Sequence, residues 1–222
     1  STHIMSFAFK DLNKDTIEYE ENRKSNDKKI VKSMIKLMDE YDVLIAHNGK
    51  AFDMKTINGR ALIHGINPPS PYKTVDTLLV AKRQFRLPSN KLEYIADVLG
   101  CAPKRSHSKF PGFELWLECL RNNEEAWNEM REYNIQDVIT LEEVYLRMLS
   151  WIPNHPNMGI YLGQERPLCT RCGSEDVQLR GYTQTNTATY RKYVCKDCGG
   201  WSRSRYNVVD KEVMKELLTN AT

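Results

Sequence analysis

Four cysteines in two Cys-x-x-Cys pairs constrain the folding of this 222-residue chain more than any other feature. Cys169 and Cys172 form the first pair, and Cys195 and Cys198 form the second, with 22 residues between the pairs. This arrangement is typical of proteins that wrap one tetrahedral Zn²⁺. Because cysteine fills all four positions, the pattern predicts a structural zinc site without an open position for catalysis.

The segment around the cysteines is short and has few apolar residues, so its folding is expected to depend on the metal. Residues 177–180 and 190–194 are typical of β-strands, and an amphipathic helix is predicted at about 210–219. Gly173 and Gly199 follow the two pairs, where a tight turn around a metal favours a positive φ. The sequence therefore predicts a small β-rich zinc ribbon with a C-terminal helix over 169–222.

The basic excess of the chain lies in this ribbon. Residues 1–168 carry 23 Lys or Arg and 23 Asp or Glu, whereas residues 169–206 carry seven basic residues against three acidic ones. Aromatic residues interleave with the basic ones, a composition suited to stacking bases and meeting phosphates. We expect nucleic-acid contacts from Arg191, Lys192 and Trp201. In the alternative, the aromatic residues only pack the ribbon and the charges face solvent.

The remaining chain is long enough to bury a core of its own, and 41% of all residues are hydrophobic. No apolar run approaches the length of a membrane span, and no signal-peptide pattern is present. We expect no membrane partner and an intracellular, cytoplasmic protein, in the host cytoplasm if the source is a virus. The predicted organisation is a main domain over 1–152, a linker over 153–168 and the ribbon.

Strand and helix patterns alternate in the main domain, which predicts an α/β fold. Strands are expected at 2–10 and 42–46. The polar stretch at 11–29 is expected to be turn, strand or loop. Helices are expected at 29–40, 52–64, 76–86, 91–99, 112–120 and 123–149.

Asp53 follows the predicted buried strand and begins a predicted helix. It therefore lies at the carboxyl edge of a sheet, where α/β proteins place ligands. For a lone Asp here, a helix N-cap or a first-turn charge is the commoner explanation.

Asp137 lies in the middle of the last predicted helix, one turn after Tyr133. An Asp is unfavourable inside a helix, and this one adjoins the apolar face, so we expect its carboxylate to turn towards the core. A partly buried carboxylate needs a partner, which is either a divalent cation or a hydrogen-bonding side chain.

Together, Asn48-x-x-x-Phe52-Asp53 and Tyr133-x-x-x-Asp137 resemble the second and third motifs of DnaQ-like 3′–5′ exonucleases of the DEDDy branch. The segments 74–78 and 89–100 resemble connecting segments of the same family. Its fold is ribonuclease-H-like, a mixed sheet flanked by helices. The resemblance extends to the proofreading domains of family B polymerases and to YprB-like proteins, and it spans about residues 2–150.

The resemblance implies phosphodiester hydrolysis with two Mg²⁺ or Mn²⁺ ions held by carboxylates. By motif, Asp53 and Asp137 would be metal ligands, and Tyr133 would orient the attacking water. Asn48 and Phe52 would contact the substrate near its 3′ end. Single strands or 3′ ends of nucleic acid are the expected partners, with DNA as the expected substrate, although domains of this family serve both DNA and RNA.

The first motif of the family, Asp-x-Glu on an opening strand, has no counterpart here. The acidic residues at 15–21 have the wrong spacing, and the opening strand at 2–10 resembles the second strand of the family. We therefore expect little or no activity unless another segment, or a second polypeptide, supplies the missing strand.

Three functions remain open at this point. The first is a metal-dependent 3′–5′ exonuclease completed by an acidic strand. The second is a non-catalytic nucleic-acid-binding protein on a degenerate nuclease scaffold. The third is a zinc-ribbon protein-interaction module of a replication or transcription assembly.

Overall fold

The computed structural model describes residues 3–101, 109–163 and 166–221. Two compact units are present, Ser1–Arg147 and Met148–Thr222. We call them the nuclease-like unit and the ribbon unit. No helix in the described ranges has the length and apolar character needed to cross a bilayer.

The nuclease-like unit is a mixed α/β structure, as the sequence predicts. Its strands are β1 (Ser6–Lys10), β2 (Ile17–Glu21), β3 (Val43–Ala46) and β4 (Lys73–Asp76). Its helices are α1 (Lys28–Asp39), α2 (Asp53–Ile63), α3 (Thr77–Gln84), α4 (Leu92–Leu99), α5 (Glu114–Leu120) and α6 (Glu124–Met148). One boundary differs from the prediction, because residues 73–76 form a strand before the helix expected at 76–86 begins.

The strands form two separate sheets where a single mixed sheet is expected. β1 pairs with β2 in an antiparallel hairpin, and β3 pairs with β4 in parallel. In the part of the chain that is described, no strand joins these two pairs. Phe7 of β1 and Leu44 of β3 nevertheless pack against the same cluster of buried side chains from α1 and α2. The two sheets therefore share one helical layer.

The hairpin is covered by helices on both faces because successive residues of β1 point in opposite directions. Phe7 contacts the α1 and α2 cluster on one face. On the other face, Ser6 accepts a hydrogen bond from Asn134 of α6, and Lys10 pairs with Glu142 of the same helix. Contacts four residues apart on one face of β1 thus fix its alignment on α6.

A buried carboxylate joins the start of the chain to two helices. Asp27, which is fully buried, accepts hydrogen bonds from the backbone N–H of Ile4, from the Arg60 guanidinium and from His64. Burial opposes ionisation of Asp27, but the hydrogen bonds from Arg60, Ile4 and His64 hold its pKa well below the usual range. This network ties the segment before β1 to the beginning of α1 and to α2.

A second buried carboxylate fixes the loop after β3. Asp76 is the N-cap of α3 and accepts hydrogen bonds from the backbone N–H groups of Leu78 and Leu79. It also accepts bonds from the backbone N–H groups of Asn48, at 2.9 Å, and Lys50, at 3.1 Å. One side chain therefore satisfies four donors and holds the β3 loop against the start of α3.

The ribbon unit is built on a three-stranded antiparallel sheet with the order β5-β6-β7. Its strands are β5 (Val177–Gln184), β6 (Thr189–Cys195) and β7 (Trp201–Arg203). A 3₁₀ turn at Leu149–Trp151 precedes two short helices, α7 (Met158–Leu162) and α8 (Lys211–Glu216). Part of the predicted linker is thus helical, β7 is additional to the predicted strands, and α8 is shorter than predicted.

Replacing Asp27 with Asn should lower the free energy of unfolding by about 3 kcal/mol at neutral pH, since Arg60 loses its buried counter-charge. The depressed pKa also sets a pH dependence. The unfolded chain binds more protons below about pH 4, so the contribution of Asp27 is lost as the pH falls through that range. Urea unfolding at several pH values checks both points. The exposed Asp15→Asn is the control. If the free energy of unfolding of Asp27→Asn fell at low pH as steeply as that of the wild type, Asp27 would not be the source of this pH dependence.

Replacing Asp76 with Asn should cost about 1–3 kcal/mol, because the new amide group meets a backbone donor where a carboxylate oxygen accepted. Hydrogen exchange at the amides of Asn48 and Lys50 should accelerate more than at the helical amides of α1. Asp42→Asn, an exposed change just before β3, serves as the matched control. Unaltered exchange at Asn48 and Lys50 would show that Asp76 does not hold the loop.

Candidate nuclease site and cysteine metal centre

The loop between β3 and α2 has a constrained backbone. Asn48 adopts a φ of 67°, in the left-handed region that Asn tolerates better than most residues. A Cβ at Gly49 would lie 2.4 Å from the Ala46 Cβ, so only glycine fits this position without a shift. The loop therefore turns sharply, with its N–H groups directed at Asp76 and its side chains outward.

This turn exposes the three motif residues of the loop. Asn48 and Asp53 are exposed, and Phe52 retains 65% of its accessible surface. Asp53 is the first residue of α2. Desolvation by surrounding protein raises the pKa of Asp53, a backbone hydrogen bond opposes the rise, and the Asp76 carboxylate adds to it. Asp53 is thus a carboxylate that a cation would stabilise.

Tyr133 and Asp137 lie one turn apart on α6, and both are half-buried. Oδ1 of Asp137 is shielded from solvent. The Tyr133 ring meets Trp116 of α5 edge-on at 6.3 Å, and Phe113 stacks on Trp116 at 6.2 Å. An aromatic wall therefore borders the turn of α6 that carries Asp137.

The nuclease-like unit does not assemble a complete carboxylate cage from its described residues. In those residues, Asp53 and Asp137 belong to no group of three or more ligating side chains close enough to share an ion. The acidic residues of the hairpin have other partners: Glu20 accepts a hydrogen bond from Ser33, and Glu21 pairs with Arg23. This agrees with the absence of an Asp-x-Glu strand from the sequence.

The four cysteines, in contrast, converge. Their Sγ atoms all lie within 4.8 Å of one another, with 3.5 Å from Cys169 to Cys198 and 3.6 Å from Cys172 to Cys195. A tetrahedron of Zn–S bonds of about 2.3 Å requires Sγ atoms roughly 3.8 Å apart, so the donor set fits a zinc-sized ion.

Backbone groups support the thiolate cluster. The N–H groups of Arg171 and Gly200 point to Cys169 Sγ and Cys198 Sγ, each at 3.4 Å. Donors of this kind stabilise negative charge on ligating sulfur. The glycines after the two pairs have positive φ, 75° at Gly173 and 71° at Gly199, as the sequence predicts.

The ribbon residues predicted to bind nucleic acid do not share one face. Trp201 pairs with Val194 across β6 and β7, so it lies on the face of Lys192. The Lys192 ammonium lies 5.2 Å from the Trp201 ring centroid. Arg191 is on the opposite face, where it pairs with Tyr182 of β5. The structure therefore brings Lys192 and Trp201 together and separates Arg191 from them.

Several neighbours of these sites are absent from the sequence prediction. Asp76 and His47 shape the β3 loop, with His47 contacting the Thr77 hydroxyl at 2.9 Å and the Asn90 carbonyl oxygen at 3.0 Å. The signal for Asp76 is an N-cap residue followed by a helical pattern. Arg203 of β7, which pairs with Lys192 across β6 and β7, is also absent from the prediction, because a three-residue strand is too short to show alternation.

Comparison with known proteins addresses the nuclease-like unit. A family model described as the RNase H superfamily matches residues 1–149. The family B DNA polymerase of the hyperthermophilic archaeon Pyrobaculum calidifontis has a similar structure, with a TM-score of 0.50 and 16% identity over 61% of this chain. The match spans 20% of the polymerase chain. No curated protein sequence matches.

At this identity, the polymerase supports the fold alone. The family model, however, covers about two thirds of the chain and includes the loop of Asp53 and the helix of Asp137. The ribonuclease-H-like fold predicted from the motifs is therefore confirmed, and it is a fold of the nuclease type. The chain belongs to the RNase H superfamily.

Proposed function

We propose that this protein is a metal-dependent 3′–5′ exonuclease-type nuclease, with DNA as the preferred substrate, whose metal cage is completed by an acidic strand. The carrying observation is the family match over residues 1–149, which contains both carboxylate motifs. Asp53 begins α2 beside the constrained loop, and Asp137 lies on α6 with Tyr133 one turn before it.

In this proposal Asp53 and Asp137 hold Mg²⁺ or Mn²⁺. Such ions supply an activated water and charge stabilisation at the leaving 3′-oxygen. The Tyr133 hydroxyl orients the attacking water, and its ring is kept in place by Trp116. Asn48 and the exposed Phe52 contact the last nucleotides of the strand, which the rigid loop presents to Asp53.

The completing strand belongs beside β1 or β3. Within the described residues, β1 pairs with β2 alone and β3 with β4 alone, so each has an edge open to a backbone partner. All four residues of β3 are half-buried although all are apolar, a burial pattern that suits an added neighbour. Two acidic residues separated by one position in such a strand would lie on the same face of the sheet. Another segment or a second polypeptide supplies it.

The cysteine centre has a separate role in the proposal. Its four thiolates hold one structural Zn²⁺, which stabilises the ribbon unit and leaves no position for a substrate. Lys192 and Trp201, which share one face of the ribbon sheet, contact nucleic acid, whereas Arg191 on the opposite face stays outside this contact.

A second candidate is a nucleic-acid-binding protein without catalysis. The observation that favours it is the incomplete carboxylate cage in the described part of the nuclease-like unit. In this case, the motif residues would bind a strand and leave it intact.

The nuclease proposal predicts stepwise shortening of a 5′-labelled single-stranded DNA from its 3′ end in Mn²⁺. The rate should be low in the chain alone and should rise when the completing strand is supplied. Asp137→Ala should reduce the rate on the order of 100-fold or more, because a catalytic ion contributes several kcal/mol. Denaturing gels of timed samples provide the measurement.

Asp97→Asn, an exposed change on α4, controls for purification and contaminating nucleases. Equal rates of stepwise shortening by wild type and Asp137→Ala would contradict the catalytic role of Asp137. Salt-sensitive binding without cleavage, even with the completing strand, would favour the second candidate.

The zinc proposal predicts one Zn²⁺ per chain by elemental analysis. Cys195→Ser should abolish this zinc and unfold the β5-β6-β7 sheet, since structural zinc supplies most of the folding free energy of such small units. Cys101→Ser, outside the cluster, should retain the metal. Full zinc content in Cys195→Ser would contradict a four-thiolate site.

A further inference from the structure

One face of the ribbon sheet carries alternating aromatic and cationic side chains. The Lys192 ammonium lies 5.2 Å from the Trp201 ring centroid, and the Arg203 guanidinium lies 3.9 Å from the Tyr190 ring centroid. Lys192 and Arg203 are direct partners across β6 and β7. We call these four residues, Tyr190, Lys192, Trp201 and Arg203, the ribbon ladder.

The ribbon ladder faces away from the two Cys-x-x-Cys pairs. Ser202, which points to the other face of β7, contacts the Thr170 hydroxyl at 3.0 Å next to Cys169. Trp201 and Arg203 on either side of it are exposed, and Trp201 keeps 50% of its accessible surface. The Trp201 ring is therefore open to a ligand, and the Tyr190 ring is half-buried.

The backbone beneath the ladder is held firmly. Arg171, from the first cysteine pair, donates a hydrogen bond of 2.7 Å to the Trp201 carbonyl oxygen and another of 3.0 Å to the Ile152 carbonyl oxygen. The Trp201 ring is thus presented from a fixed strand, which lowers the entropy lost when a ligand stacks on it.

Charge identifies the class of ligand. None of the strands β5, β6 and β7 contains an Asp or Glu, so the ladder cations meet no carboxylate from their own sheet. Flat rings beside cations that no strand carboxylate neutralises suit a polyanion that also offers flat faces. Unpaired nucleic-acid bases have such faces, whereas bases inside a duplex have theirs covered by stacking.

The dimensions suit a short run of nucleotides. Tyr190 and Trp201 are separated by the length of four strand residues, roughly 13 Å. A stacked strand advances about 3.4 Å per nucleotide, so this span corresponds to about four nucleotide steps.

We propose that the ribbon ladder is a binding site for single-stranded nucleic acid, with bases stacked on Trp201 and Tyr190 and phosphates held by Lys192 and Arg203. This inference rests on the proposed action on nucleic acid and assigns it to one face of the ribbon. The opposite face, with Arg191 and Tyr182, is outside the site.

Matched variants on the two faces test the proposal in the full chain. Trp201→Ala removes an aromatic residue that is 50% exposed, and Tyr182→Ala removes one that is 52% exposed on the other face. Lys192→Gln and Arg191→Gln likewise remove neighbouring positive charges from opposite faces. Zinc content of each variant verifies that the ribbon is folded.

Fluorescence anisotropy of a labelled 12-nucleotide oligo(dT), without Mg²⁺ or Mn²⁺, provides the affinity. Trp201→Ala should weaken binding about 5- to 150-fold, the usual range for losing one stacked base. Lys192→Gln should also lower the slope of log affinity against log salt by about 0.7. Tyr182→Ala and Arg191→Gln should match wild type, and a 12-base-pair duplex should bind more weakly than the single strand.

Equal losses on the two faces, a preference for duplex, or no binding by the wild type would overturn the ribbon ladder. Cleavage plays no part in this measurement. A chain that binds through the ladder but does not shorten DNA even with the completing strand would refute the exonuclease proposal alone. A chain that cleaves without face-dependent binding would refute the ladder alone.

Discussion

The Asp76 carboxylate is the constraint on which the candidate site depends. It caps α3 and accepts two backbone hydrogen bonds from the loop after β3, so a strand end, a loop and a helix start share one acceptor. These bonds compensate the left-handed backbone of Asn48. Because Gly49 leaves no room for a side chain, the loop has little freedom to turn another way. The exposure of Phe52 and Asp53 follows from this local geometry.

The nuclease-like unit is held together by its helices, because its described residues do not form a continuous sheet. Phe7 and Leu44, from different sheets, meet the same α1 and α2 cluster, and β1 is also fixed on α6 through Lys10 and Glu142. Helix packing can therefore preserve the positions of both strand pairs without backbone hydrogen bonds between the two pairs. Strand addition is therefore physically reasonable. The strand edges with which an added strand would pair are already in position, so less entropy is lost on pairing than if those edges first had to become ordered.

Sequence patterns predicted what is locally determined and missed what depends on distant pairing. The α6 helix and the four cysteines follow from periodicity and spacing, and the structure bears both out. The strand at 73–76 was missed because its four residues gain their conformation from pairing with β3. Alternation along β6 is enough to place Arg191 and Lys192 on opposite faces of the sheet. The face on which Trp201 lies depends on how β7 pairs with β6, and β7 is too short to show a sequence pattern. For Asp76, the N-cap signal was present, but its bonds to Asn48 and Lys50 join positions 26 and 28 residues apart in sequence.

The two candidate metal centres differ in how much of each the chain itself builds. Thiolates in two short knuckles need only local turns and one sheet to converge, so the cysteine cluster forms within the ribbon unit. A carboxylate cage gathers hard oxygen ligands from several elements, and like charges repel until an ion neutralises them. Desolvation and, as a smaller contribution, the Asp76 carboxylate already raise the pKa of Asp53. Further acids would add repulsion unless a cation entered with them. Strand addition and metal binding at this site should therefore be coupled, each being more favourable in the presence of the other.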